Sequence, residues 1–289
     1  MSECSPYLPP EQIDEFMSKA LMSRIARRVV AEQHIALTKK FNGESPNCSN
    51  DKVGVVTIEC DPEDSVRRCA TLARELVAKS YQKVHGKEVP SLPGLIIEGH
   101  MGVRFPFVQD HMDYILFEVL KNSYQSTLRQ NIQNPSPIRV TIAEGSDEAV
   151  IRISDNGGGI PLNQISTLCS FAKSDPMRQS ALQTMPPVST RVEVEPTAAE
   201  TAAILPEDRN DFSSLGAAYS RLGIGLPVVS NFMKYWGGSL HLNSLAGLGC
   251  NVYLRFPNSR VGAREHLPFD PSQPDTVQTS PPLYSAHAH

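Results

Sequence analysis

No apolar run in this 289-residue chain approaches the roughly 18 residues that a membrane-spanning helix needs. A strong charge excess is missing too: the net charge of −4 is too mild to point to nucleic acid or an anionic membrane as a partner. The six cysteines (Cys4, Cys48, Cys60, Cys69, Cys169 and Cys250) form no CxxC pair and no histidine-spaced cluster. They read as reduced, mostly packing thiols of an intracellular protein. The first twenty residues hold Glu3, Glu11, Asp14 and Glu15 but no arginine. They do not read as a secretory signal or transit peptide, and any organellar address is expected outside this chain. No GKS or GKT occurs, which excludes a Walker A loop, and the GxGxxG dinucleotide fingerprint is absent. There is no internal repeat. What remains, 40% hydrophobic and 20% charged residues, suits a globular protein of one large or two ordinary domains.

From Pro10 to about Phe41 the positions Ile13, Phe16, Met17, Leu21, Ile25 and Val29 recur at helical spacing. Arg24, Arg27 and Arg28 crowd one stretch of that helix and read as a solvated face. Phe41 to Asn50 is a loop by composition. Asp61-Pro62-Glu63-Asp64 is a helix start: a capping side chain, then proline and acids in the first turn. The helix it opens carries Val66, Ala70, Ala73, Leu76, Val77 and Val84 and stops near Gly86. These two helices predict a helical layer without strands that packs on something else. After Pro93 the period changes. Leu95–Ile97 and Ile138–Ala143 read as strands, flanking a helix from about Gln109 to Gln130 with the core stripe Met112, Ile115, Leu116, Val119, Leu120 and Ser123. Leu240 and Leu242, then Val252, Leu254 and Phe256, alternate as a hairpin around Gly247 and Gly249. This half predicts an α/β sandwich with helices on one sheet face, and the whole an α+β fold. Residues 175–219, with five prolines and no sustained periodicity, read as a lid-type insert, and about 258–289 as a disordered tail.

Three segments carry chemistry. On the helix, Glu118 and Asn122 are four apart and share a face at the edge of the buried side. Glu118 has the chemistry of a general base, and Asn122 offers a carbonyl oxygen that Mg²⁺ accepts. A solvated Glu/Asn face is the plainer alternative. Next, Val150–Ser154 alternates so that Ile151, Ile153 and Asp155 share one face, and Asp155-Asn156-Gly157-Gly158-Gly159 follows. A carboxylate at a strand end before glycines that let a ring approach reads as a purine pocket, with an Asn-Gly hairpin turn as the alternative. Last, Gly223-Ile224-Gly225-Leu226-Pro227 opens a helix that ends at Gly237-Gly238. A glycine-rich entry to a helix N-terminus reads as a phosphate site, or as a bare helix cap.

ExxxN on a helix, DxGxG after a strand, an insert, then GxG before a helix is the order of the GHKL ATPase/kinase superfamily. More closely, Tyr114–Ser123, Ile151–Asp155 and Gly237–Leu240 through Asn251–Leu254 resemble the mitochondrial 2-oxo acid dehydrogenase kinases. The similarity extends through Met22–Ile25, Gln33-His34 and Arg104–Phe107, over most of residues 10–257. Tyr114 resembles the branched-chain member more than the pyruvate dehydrogenase kinases, which tend to have histidine there.

The resemblance implies an Mg-ATP-dependent protein serine kinase of the mitochondrial matrix, acting on the E1 subunit of a branched-chain or pyruvate 2-oxo acid dehydrogenase and inactivating it. Glu118 would activate the serine hydroxyl, Asn122 would hold Mg²⁺, and Asp155 would receive the adenine amine beside Gly157, Gly159 and Cys250. Ser174, Ser220, Gly223, Gly225 and Leu226 would line the phosphates, with K⁺ nearby. The implied partners are E1, the lipoyl-bearing E2 core and a second copy of the chain. The implied domains are a helical regulatory part at 1–93, belonging to a four-helix bundle of which only part lies in this chain, and a GHKL kinase domain at 94–257. Departures stand at Asn156, Arg221, Cys250 and Gln125, where the family usually has arginine, glycine, threonine and arginine. They keep open a nucleotide-binding regulator without catalysis. A histidine kinase using His34 is a further alternative, against His34 packed in the helical layer. His111 is expected on the surface near the helix N-terminus.

Overall fold

The structure, a computed structural model, describes residues 9–43, 52–165, 167–172 and 224–258. Helix α1 (Pro10–Phe41) comes first, then strands β1 (Lys52–Val53) and β2 (Val56–Cys60), and helix α2 (Pro62–His85). Asp61 caps α2 by accepting from the amides of Glu63 and Asp64 at 2.9 and 3.2 Å, and Gly86 closes it in the left-handed conformation. Such a cap contributes about 1 kcal/mol. Strands β3 (Leu95–Gly99) and β4 (Phe105–Phe107) precede α3 (Gln109–Gln130), then β5 (Ile138–Glu144) and β6 (Glu148–Asp155). A short α4 (Leu162–Ile165), helix α5 (Gly225–Tyr235) and the hairpin β7 (Ser239–Leu245) and β8 (Gly249–Pro257) complete the described chain.

The main sheet has the order β3-β5-β6-β8-β7, with β3 and β5 parallel and the other pairs antiparallel. Its residues alternate as expected: Ile138, Val140 and Ile142 of β5, Ile151 and Ile153 of β6, and Val252, Leu254 and Phe256 of β8 are buried beneath α3 and α5. The other face carries polar pairs such as Arg139 with Glu98 and Arg255 with Glu148. Helix α2 packs along α3, and α1 packs against α5. The α+β class expected from the sequence therefore holds. No described helix is long and apolar enough to cross a membrane.

Four local expectations are corrected. The region before residue 93 is not purely helical, because β1 and β2 pair with each other and β2 pairs with β4 in a second, three-stranded sheet. The β-branched run from Val53 to Ile58 favours strand. Phe16 does not join the buried stripe of α1; it is 69% exposed while Ile13, Leu21 and Ile25 are buried. His34 is exposed rather than packed. His111 is buried, because its Nδ1 accepts from Trp236 Nε1 at 2.8 Å and its ring meets Phe232 edge-on. The insert at 175–219, the tail beyond 258 and Arg221 lie outside the described residues.

Candidate active site

Helix α3 is the spine of the site. Its apolar stripe anchors it on the sheet, which turns Glu118, Asn122, Ser123 and Ser126 toward the loops at the sheet's end. From Glu118 to Ser126 is about 12 Å along the axis at 1.5 Å per residue. Two clusters form along this distance.

The first gathers around Asp155, the last residue of β6, which registers opposite Cys250 of β8. Its carboxylate is buried, and Oδ1 accepts from Gly157 N at 3.0 Å and Cys250 N at 3.4 Å. Burial pushes its pKa up, against these amides and the hydroxyls of Ser123 and Ser126. Gly157 lies so close to Ser126 that a Cβ would overlap the serine side chain. Gly159 takes a φ of 69° against the carbonyl of Leu245, a position closed to other residues. Ser244 ties the loop down by accepting from Ile160 N at 2.6 Å and from Cys250 Sγ at 3.2 Å.

The second cluster is where α5 begins. Glu118 is only 1% exposed, and its Oε2 accepts from Lys121 Nζ at 2.6 Å. Its other oxygen, Oε1, is buried without a hydrogen bond among the described residues. Burial pushes the Glu118 pKa up and the Lys121 ammonium opposes it. Gly225 sits on this carboxylate so closely that a Cβ would overlap Oε2. The first helical bond of α5 runs from Val228 N to Ile224 O. The Gly225 and Leu226 amides therefore stand in the turn that no helical carbonyl reaches, at the positive end of the dipole. Half-buried Asn122 lies one turn beyond Glu118.

Histidine kinase-, DNA gyrase B- and HSP90-like ATPases match this chain over residues 107–260, the stretch that holds both clusters. The chain belongs to this ATPase family. Residues 1–57 match the family described as mitochondrial branched-chain alpha-ketoacid dehydrogenase kinase. Among curated relatives, a mitochondrial pyruvate dehydrogenase (acetyl-transferring) kinase 2 of Saccharomyces cerevisiae is 28% identical over 290 residues, covering 86% of this chain and 57% of the relative. The mitochondrial pyruvate dehydrogenase kinase of Arabidopsis thaliana is 24% identical, covering 89% and 61%. Isozyme 4 of Homo sapiens is 26% identical, covering 85% and 52%. The chain spans about half to three fifths of the length of these relatives. The resemblance to mitochondrial 2-oxo acid dehydrogenase kinases is thereby borne out.

Within this ATPase fold the structure brings Asp155, Gly157, Gly159 and Cys250 together beside the last turns of α3, and Glu118, Gly225 and Leu226 near its middle, with Asn122 between along the helix. Ser174, Ser220 and Gly223 lie outside the described residues. Lys121 and Ser126 are site neighbours that the motif reading missed. Both had a signal: Lys121 is three residues from Glu118, and Ser126 extends the Glu118–Asn122 face by one more turn. Ser244 had none, since it reaches the site only through the β7–β8 register.

Proposed function

We propose that the chain carries the Mg-ATP site of a protein serine kinase that phosphorylates, and thereby inactivates, the E1 subunit of a mitochondrial 2-oxo acid dehydrogenase, branched-chain or pyruvate. The observation that carries the reading is the seating of Gly225 on the buried Glu118 carboxylate, which sets the N-terminus of α5 beside a carboxylate with one oxygen unpaired among the described residues.

In this reading Asp155 receives the adenine amine, with Gly157, Gly159 and Cys250 around the ring. Gly225 and Leu226 turn their amides to the phosphates, and Ser174, Ser220 and Gly223 complete that cradle. Asn122 suits Mg²⁺, which takes few protein ligands and keeps waters and phosphate oxygens. Bound Mg²⁺ would offset charge on the triphosphate.

Lys121 holds Oε2 of Glu118 and so leaves Oε1 to take the proton from a substrate serine. The serine oxygen bonds to the γ-phosphorus as the bond to ADP breaks. Residues 1–93, mainly helical but including β1 and β2, then serve as a regulatory part and 94–257 as the kinase domain. A lipoyl-bearing E2 core, a homodimer and the mitochondrial matrix follow from the same reading.

Incubation of the chain with labelled ATP, Mg²⁺ and each E1 in turn tests it. Acid-stable label on an E1 serine is expected, and the preferred E1 names the substrate. ATP binding without transfer would overturn the kinase reading and leave a nucleotide-binding regulator. Acid-labile label on His34 would point to a histidine kinase.

A further inference from the structure

Helix α1 is tied to the far side of the candidate site by one side chain. Asp14 Oδ2 accepts from Ser170 Oγ at 2.6 Å, and Oδ1 accepts from the backbone amides of Phe171 and Ala172 at 2.6 and 2.9 Å. Three donors converge on one carboxylate, and two of them belong to the main chain, so the acid fixes the path of the segment rather than one rotamer. Bonds to a charged acceptor are the stronger kind.

That segment is the exit from the Asp155–Gly159 loop by way of α4. Phe171 is buried in the core. Cys169 lies close enough to Lys234 of α5 to feel its charge. The body of α1 packs directly on α5, whose first turn covers Glu118. Farther along α1, Gln33 Oε1 accepts from Val55 N at 2.8 Å, so a second contact holds its position. One helix thus grips both chain segments that flank the candidate nucleotide site, one by packing and the other through Asp14.

We propose that Asp14 is a positioning residue. It fixes segment 170–172 against α5 and thereby couples the position of α1 to nucleotide affinity, without itself touching the nucleotide. The proposal rests on the ATP-site reading above.

The test compares the parent chain with Asp14→Ala, Ser170→Ala and the double variant by two measurements. Amide hydrogen exchange is followed without nucleotide, and Mg-ATP affinity is measured by titration calorimetry. Asp14→Ala, which removes the acceptor of all three bonds, is expected to speed exchange at Phe171 and Ala172 and also at Gly157 and Gly158, with Ile151 to Ile153 unchanged. It is expected to raise the Mg-ATP Kd about tenfold, a change of about 1.4 kcal/mol. Ser170→Ala, which removes one hydroxyl, moves both readouts the same way by less. The double variant is no worse than Asp14→Ala, because both changes act on one junction. Faster exchange confined to 171–172 overturns the coupling, as does equal acceleration in β6, which marks mere destabilisation. An unchanged Kd also overturns it. A parent that binds no Mg-ATP defeats the ATP reading instead, and exchange at Gly157 and Gly158 then still decides the coupling. Should Asp14→Ala fail to fold, Ser170→Ala carries the same two readouts.

Discussion

Glu118 presents two unequal oxygens, and the difference sets what each substitution does. Lys121 holds Oε2, while Oε1 is buried without a partner among the described residues. Glu118→Gln keeps the shape but cannot accept a proton, so transfer falls by about 100-fold or more while Mg-ATP affinity stays within about twofold. Asn122→Ala does the reverse, raising the Mg-ATP Kd about tenfold through the lost oxygen ligand. Calorimetry paired with a transfer assay separates the two, and equal loss of binding in both would contradict the division of roles. The pH profile follows from burial. Since the Glu118 pKa lies above its ordinary 4.5, the base is protonated at acid pH and transfer rises with pH through the raised value. Lys121 opposes the rise by its charge and its hydrogen bond. Lys121→Met therefore moves the acid inflection of kcat further up, whereas an unmoved or lowered inflection would show that Lys121 does not act on this carboxylate.

At the scale of elements, α3 was legible because burial and chemistry share one periodicity: the stripe Met112, Ile115, Val119 and Ser123 fixes which face carries Glu118 and Asn122. The end of β6 was legible for the same reason, alternation carrying Asp155 inward with Ile151 and Ile153. What failed was non-local. The strands β1 and β2 are short, β2 needs the distant β4 to pair with, and Asp14 meets its partners 156 to 158 residues away. His111 was misplaced although it lies four residues before Ile115, on the buried face; the side chains that cover it, Phe232 of α5 and Trp236 just after it, come from far along the chain. That burial has a consequence. It pushes the His111 pKa from 6.5 down to about 3, so between those values the unfolded chain binds the proton and the folded one does not. Stability then rises with pH across that window, by at most about 1.4 kcal/mol per unit from this group, and is lost as pH falls. Trp236 is the single tryptophan and donates to His111, so its fluorescence follows the transition directly. His111→Gln should flatten the dependence of the urea midpoint between pH 4 and 6.5; an unchanged slope would assign it to other groups.

For the whole molecule, the two clusters are joined by α3 but walled by elements distant in sequence, the β7–β8 hairpin over Asp155 and α5 over Glu118. A ligand that bridges both clusters needs all of them in place, so it binds only the folded chain. At 100 times its Kd such a ligand adds about 2.7 kcal/mol to stability. In a chain of this size that raises Tm by roughly 5 °C or more. The rise divides by cluster. Chelating Mg²⁺ with EDTA removes what depends on Asn122 and should shrink the shift while leaving the apo Tm alone. Asp155→Asn tests the other end. The asparagine Oδ1 can still accept from Gly157 N and Cys250 N, so the loop keeps its anchor. It offers an amide, however, on the side where the adenine amine would donate, and two donors facing each other cost one of them its partner. The apo Tm of Asp155→Asn should therefore stay near that of the parent while the ATP-induced rise largely disappears. A full rise in Asp155→Asn would mean that the base binds elsewhere, and a rise indifferent to EDTA would mean that the triphosphate is held without the metal.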